Sequence, residues 1–83
     1  MKKFEKYDRL YVKWIDSYSD NSGWIDEEDI SEENHFIESL GFFYKQTKDF
    51  LIIVHSRGLE DTDVMGVLNI PLGCIKEIKK LRQ

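Results

Sequence analysis

The run Phe50-Leu51-Ile52-Ile53-Val54-His55-Ser56 is continuous, apolar and rich in β-branched side chains. Such a run predicts a strand near the centre of a sheet, covered on both faces. On its N-terminal side, Thr47-Lys48-Asp49 is a polar connection of hairpin length. Before that, Phe36, Leu40, Phe42 and Tyr44 fall on even positions and Ile37 and Phe43 on odd ones, so a strand begins at Phe36 with both faces partly apolar. Gly41 inside it predicts a bulge or sharp bend, of the kind small barrels need at corners. On the C-terminal side, Arg57 to Asp63 reads as a polar loop and Val64 to Ile70 as the next strand, with Gly66 as a second bend. Pro71 has no N–H to donate and ends that ladder. Pro71-Leu72-Gly73-Cys74 reads as one tight helical turn. Ile75, Ile78 and Leu81 follow at three-residue spacing, which fits a closing strand with a twist or a short amphipathic helix. The closing strand is preferred, because a small barrel needs its edge closed. These elements describe a mainly β, barrel-like domain of about five strands, with a short helical turn before the last strand.

The N-terminal segment supports two readings. As a strand, Arg9 to Ser17 sets Leu10, Val12 and Trp14 on one face against Tyr11, Lys13 and Ile15 on the other. As a helix, Phe4, Tyr7, Leu10, Tyr11, Trp14 and Ile15 recur at three- and four-residue spacing. Residue type favours a strand for the second half, with Met1 to Asp8 as a lead-in or short helical turn. Asp16 to Gly23 is a loop by composition, and Asp26 to Asn34 is acidic, either a short helix or an extended loop.

An 83-residue chain holds one domain, residues 1–83. Five Phe, four Tyr and two Trp give it the means to build a core, since each aromatic buries a large area. A domain this small gains from self-association, and a homo-oligomer is expected. No apolar run approaches the length that crosses a bilayer, and the basic start lacks the apolar stretch of a signal peptide. With a single cysteine, Cys74, the expected compartment is the cytoplasm.

The net charge of −4 conceals a segregation. Lys2, Lys3, Lys6, Arg9 and Lys13 crowd the start, and Lys76, Lys79, Lys80 and Arg82 crowd the end. From Trp14 to Tyr44 there is no Lys or Arg, while Asp16, Asp20, Asp26, Glu27, Glu28, Asp29, Glu32, Glu33 and Glu38 all fall there. With the termini close in space, the molecule has a basic side and an acidic side. Mutual attraction across a solvated surface accounts for this. So does a basic patch for phosphate-bearing ligands, or an acidic loop that mimics nucleic acid or repels it. The overall acidity weighs against nucleic acid as the partner.

Tyr18 to Asp29 resembles a calcium-binding EF-hand loop, with Gly23 at the sharp turn, Ile25 two places on, Asp20 and Ser22 at ligand places and Asp29 last. Tyr18 offers no carboxylate at the first place, and Asp29 is shorter than the bidentate Glu that the geometry wants. A polar turn before an acidic segment is the simpler reading, with calcium binding as the alternative. His35, His55 and Cys74 have no ligand spacing, and no metal or cofactor is expected. Cys74 beside His55 would be needed for a thiol nucleophile. Its simpler role is a small buried residue after a turn. Ser56-Arg57-Gly58 at a strand end suits an anion through Arg57 and backbone N–H groups, or is a plain loop. Trp14 and Trp24 flank a polar loop. Packed inward they are core, and exposed together they make a stacking surface.

Val12-Lys13-Trp14-Ile15-Asp16-Ser17, Gly23-Trp24, Ser39-Leu40-Gly41-Phe42-Phe43 and Ile70-Pro71-Leu72-Gly73-Cys74-Ile75, with Ile78 and Leu81, together resemble small proteins encoded by bacteriophages and prophages. The resemblance spans nearly the whole chain, and its pieces are short and individually common. It implies a small SH3-like or Sm-like β-barrel and a non-enzymatic accessory product in the host cytoplasm. It brings no catalytic residues, and the basic lead-in Met1 to Asp8 is longer than the pattern. The expected function is host takeover or anti-defence, by binding a host protein or sequestering a nucleotide signal. Trp14, Asp16, Trp24, His55 and Arg57 are the candidate ligand-binding residues.

Overall fold

A computed structural model of the chain describes residues 3–16 and 35–82. The first strand, β1 (Arg9–Asp16), buries Leu10 and Val12 completely, so the period of two prevails over the period of three to four. Hydrogen-bond partners settle the choice, because β1 is flanked on both sides. It pairs antiparallel with β2 (His35–Gln46) and with β5 (Ile75–Lys80). The remaining strands, β3 (Phe50–Arg57) and β4 (Val64–Pro71), complete a five-stranded antiparallel sheet in the order β4-β3-β2-β1-β5. The strong run at Phe50 is indeed flanked on both sides, although β2 occupies the middle place. A 3-10 turn, Leu72–Cys74, precedes β5, and Pro71 is the last residue of the β4 ladder, opposite Phe50.

Leu10, Val12, Phe43, Leu51, Ile53 and Ile70 form the core on one face of the sheet, with Phe4, Trp14, Leu68, Leu72, Ile75 and Ile78 packed around them. Val54 is also fully buried but alternates to the opposite face, between Phe42 and Val67. Over residues 3–8 the lead-in is not helical. Asp8 N–H donates to Glu5 O at 3.0 Å, Tyr7 takes φ 70° and donates its N–H to Phe43 O, and the chain turns so that the Phe4 ring lies 5.8 Å from that of Phe43.

Two bulges correct the simple strand pattern. In β5 the register steps from Lys13↔Glu77 to Trp14↔Ile75, which leaves Lys76 as an extra residue. This is why Ile75 and Ile78, three apart, both reach the core from one strand. In β2 the step falls between Phe43 and Lys45, not at Gly41. Gly41 serves close approach instead: a Cβ there would sit 3.0 Å from Val54 O. Gly66 is the bend expected of it, at φ 74°.

The sheet is not closed by hydrogen bonds. β4 pairs only with β3, and β5 folds back onto β1, so a complete barrel ladder is not formed. It is nonetheless curled. Flat, its outer strands would lie about 19 Å apart, whereas a three-residue 3-10 turn advances about 6 Å. Leu72 N–H fixes that turn by donating to Asp49 O at 2.9 Å.

Gly66→Ala is expected to destabilise the protein by about 1–3 kcal/mol, because the new Cβ would fall 2.6 Å from His55 Cβ at a left-handed φ. Gly73→Ala has nothing within 4 Å of its Cβ and should stay within about 0.5 kcal/mol of the parent. Urea midpoints of the two variants check both values.

Candidate cation–aromatic cleft

Arg9 opens β1, and its place in the register is opposite Phe42, which in turn is opposite Val54 on β3. The turn before β1 brings Tyr7 toward the end of β3. There the Arg57 guanidinium carbon lies 4.1 Å from the Tyr7 ring centroid. Lys6 Nζ sits 5.3 Å from the same ring and 5.2 Å from that of Tyr44. Tyr7, Arg9, Phe42, Arg57 and Leu59 line a cleft of about 350 Å³. A second cleft of about 270 Å³ adjoins it and shares Arg9 and Phe42. Its other walls are Leu10, Leu40, Gly41, His55 and Leu81.

The arginines of the first cleft have no ion-pair partner among the described residues. Among the described residues the ion pairs are Lys79–Glu77 at 2.9 Å and Lys80–Asp8 at 3.5 Å, and neither arginine takes part. Asp8, the carboxylate next along the chain from Arg9, is occupied by Lys80 and by the Glu5 N–H. An arginine stacked on a ring keeps its N–H edge free for an anion. The arrangement can therefore take a phosphate or carboxylate by charge-assisted hydrogen bonds, over a flat aromatic floor.

The candidate residues read from the sequence divide. Arg57 is in the first cleft and His55 in the second. Trp14 belongs to the core periphery, half-buried, with Nε1 donating to Ser39 Oγ at 3.0 Å. Asp16 is exposed at the far end of β1, opposite His35 and about 23 Å of strand from Arg9. Trp24, and the whole calcium-like loop Tyr18 to Asp29, lie outside the described residues. Tyr7, Arg9, Phe42 and Leu59 are the residues of the first cleft that sequence reasoning missed. Their one signal was the interleaving of basic and aromatic residues at Lys6-Tyr7-Asp8-Arg9.

Two of the smaller alternatives are narrowed. The backbone N–H of Gly58 donates to Asp63 O at 2.8 Å, so it is not available to an anion beside Arg57. Cys74 is half-buried, and its turn sits beside the start of β3, where Pro71 pairs with Phe50. His55 lies five residues along β3, about 17 Å away by strand rise, so the two do not form a thiol–imidazole pair. Among the described residues no helix is long and apolar enough to cross a membrane.

No protein-family model, no curated protein and no solved structure matches the chain.

On the same face of β1 as Arg9, two residues along, Tyr11 is opposite Leu40 and Lys79 across the two ladders. Partial burial, then the carboxylates of Glu38 and Glu77, push its hydroxyl above the ordinary 10.0. The hydrogen bond and charge of Glu77 raise Lys79 above 10.5. Both groups hold their protons more tightly folded than unfolded. The stability they contribute is complete below pH 10.0 and is lost as pH rises through their folded values. Tyr11→Phe should flatten part of the alkaline decline in urea midpoint. In the parent, phenolate absorbance should include a step above pH 10.0 that Tyr11→Phe removes.

Proposed function

We propose that the protein is a non-enzymatic binding module, a bacteriophage accessory product that takes up a small phosphate-bearing ligand in the host cytoplasm. The observation that carries this reading is the pair Arg9 and Arg57 lining one cleft with Tyr7 and Phe42, free of carboxylate partners among the described residues. Guanidinium groups suit phosphate because their forked donors match its oxygens bidentately. Sequestering a phosphate-bearing signal asks for no more than such a site, and this supports an anti-defence role.

The curled sheet belongs with this reading as an SH3-like or Sm-like small barrel. A last strand folded back on the first, and a 3-10 turn just before it, support that assignment. Self-association is part of the proposal as well. The outer edge of β4 carries no charged side chain, and Met65 and Val67 beside it are largely exposed. The opposite edge, β5, is bulged and bears Lys76, Lys79 and Lys80, which are the usual protections of an edge strand. A second copy paired along β4 brings no like charges together, which matters for a chain of net charge −4.

Calorimetric titration with nucleotide second messengers and inorganic phosphate tests the ligand. Arg57→Ala and Arg9→Ala are each expected to weaken binding by about 10- to 100-fold, the worth of hydrogen bonds to a charged group. Unchanged affinity in both variants, or no binding of any phosphate compound, removes the reading. A host protein captured from lysate, with no phosphate compound bound, would replace it with a protein partner. In sedimentation, Val67→Lys should convert an oligomeric parent to monomer; a monomeric parent ends the β4 edge assignment.

A further inference from the structure

We infer that the ligand is a nucleoside phosphate that straddles the Arg9–Phe42 pair, its phosphate on Arg9 and Arg57 and its base in the adjoining apolar cleft against Phe42 and His55. This deepens the phosphate-binding reading and rests on it. The two clefts are neighbours because one cross-strand pair, Arg9 on β1 and Phe42 on β2, contributes to both. On one side lie the guanidinium groups. On the other lie Leu40 and Leu81, exposed side chains that offer apolar surface and no charge. A ligand that fills both must carry an anion at one end and an apolar body at the other.

The polar group of the second cleft narrows that body. His55 Nδ1 lies 2.8 Å from Ser56 Oγ, which ties down one ring nitrogen. Nε2 has no partner among the described residues and is left to meet a ligand. An acyl chain would gain nothing from that atom. A nucleobase offers donors and acceptors on its edge and a flat face for the Phe42 ring. Each cleft is at the small end of ligand sites. The room suits one ring system and one phosphate, not a dinucleotide.

The experiment is a calorimetric comparison on the full chain of adenosine and guanosine 5′-monophosphate against ribose 5-phosphate, octyl phosphate and inorganic phosphate. At least one nucleotide is expected to bind about tenfold or more tightly than ribose 5-phosphate, the size of one stacking contribution. His55→Ala should erase most of that gap and leave ribose 5-phosphate unchanged. Arg57→Ala should weaken both. His55 is an exposed position, so the variant is expected to keep the parent's amide spectrum, and Leu81→Ser is a second probe of the same cleft. Equal affinity for nucleotides and ribose 5-phosphate overturns the base subsite while the phosphate site stands. Preference for octyl phosphate overturns the nucleobase in favour of an acyl group. Failure of every phosphate compound to bind overturns the phosphate site itself.

Discussion

Leu72, Gly73 and Cys74 join the two outermost strands of a five-stranded sheet. Three residues cannot bridge the width of a flat sheet, so the sheet must curl until its edges approach at that end. The curl creates a concave side, and the buried side chains of Leu10, Val12, Leu51, Ile53 and Ile70 fill it. Each of these gains roughly 1.5–3 kcal/mol from leaving water, which rewards the bend that the short connection requires. Connection and core therefore enforce the same shape. The bulges at Lys76 and after Phe43 supply the local twist that a curled sheet needs.

The same geometry brings the chain's two basic ends together. β5 lies along β1, and Leu81 N–H donates to Arg9 O at 2.7 Å. Lys80 then takes the Asp8 carboxylate. A lysine from the C-terminal end thus occupies the acid nearest in sequence to Arg9. Tyr7 is the other local device. A tyrosine at φ 70° is held in a region that L side chains seldom occupy. Its N–H bond to Phe43 O and the Arg57 guanidinium over its ring hold it there. Residues kept in such conformations concentrate at functional sites, and this one faces the cleft.

Much of the fold was legible in the sequence because strand patterns are local. The apolar run at Phe50, the hairpin at Thr47-Lys48-Asp49, the stop at Pro71 and the turn at Leu72–Cys74 each carry their own chemical reason. The bulges were less legible, since a register shift depends on two strands at once. The three-residue spacing of Ile75 and Ile78 fits a twisted strand or a helix, and the extra Lys76 against Trp14 explains it in the preferred strand. Gly41 shows the converse error: glycine marked a close approach, and the irregularity fell just beyond it. The site was mostly illegible. Arg57 and His55 were flagged at a strand end, but Tyr7, Arg9 and Phe42 join them only through pairing across three strands. Trp14 drew attention as a large aromatic near a loop, yet its ring serves the core and its one polar atom is satisfied by Ser39.

That dependence on pairing ties the site to the core. Arg9 and Leu10 are consecutive and face opposite ways, as do Phe42 and Phe43. A slip of one residue between β1 and β2 would turn Arg9 inward and expose Leu10 and Val12. Loss of those two from the interior would cost several kcal/mol, roughly 1.5–3 for each, so the slip is strongly opposed. The residues that fix the position of Arg9 against Phe42 are thus not in the cationic cleft at all. They are the aliphatic side chains on the other face of the same strands. The cleft side chains themselves stand outside the buried cluster, so Tyr7, Arg9, Arg57 and Leu59 can vary in chemistry without disturbing the packing that places them.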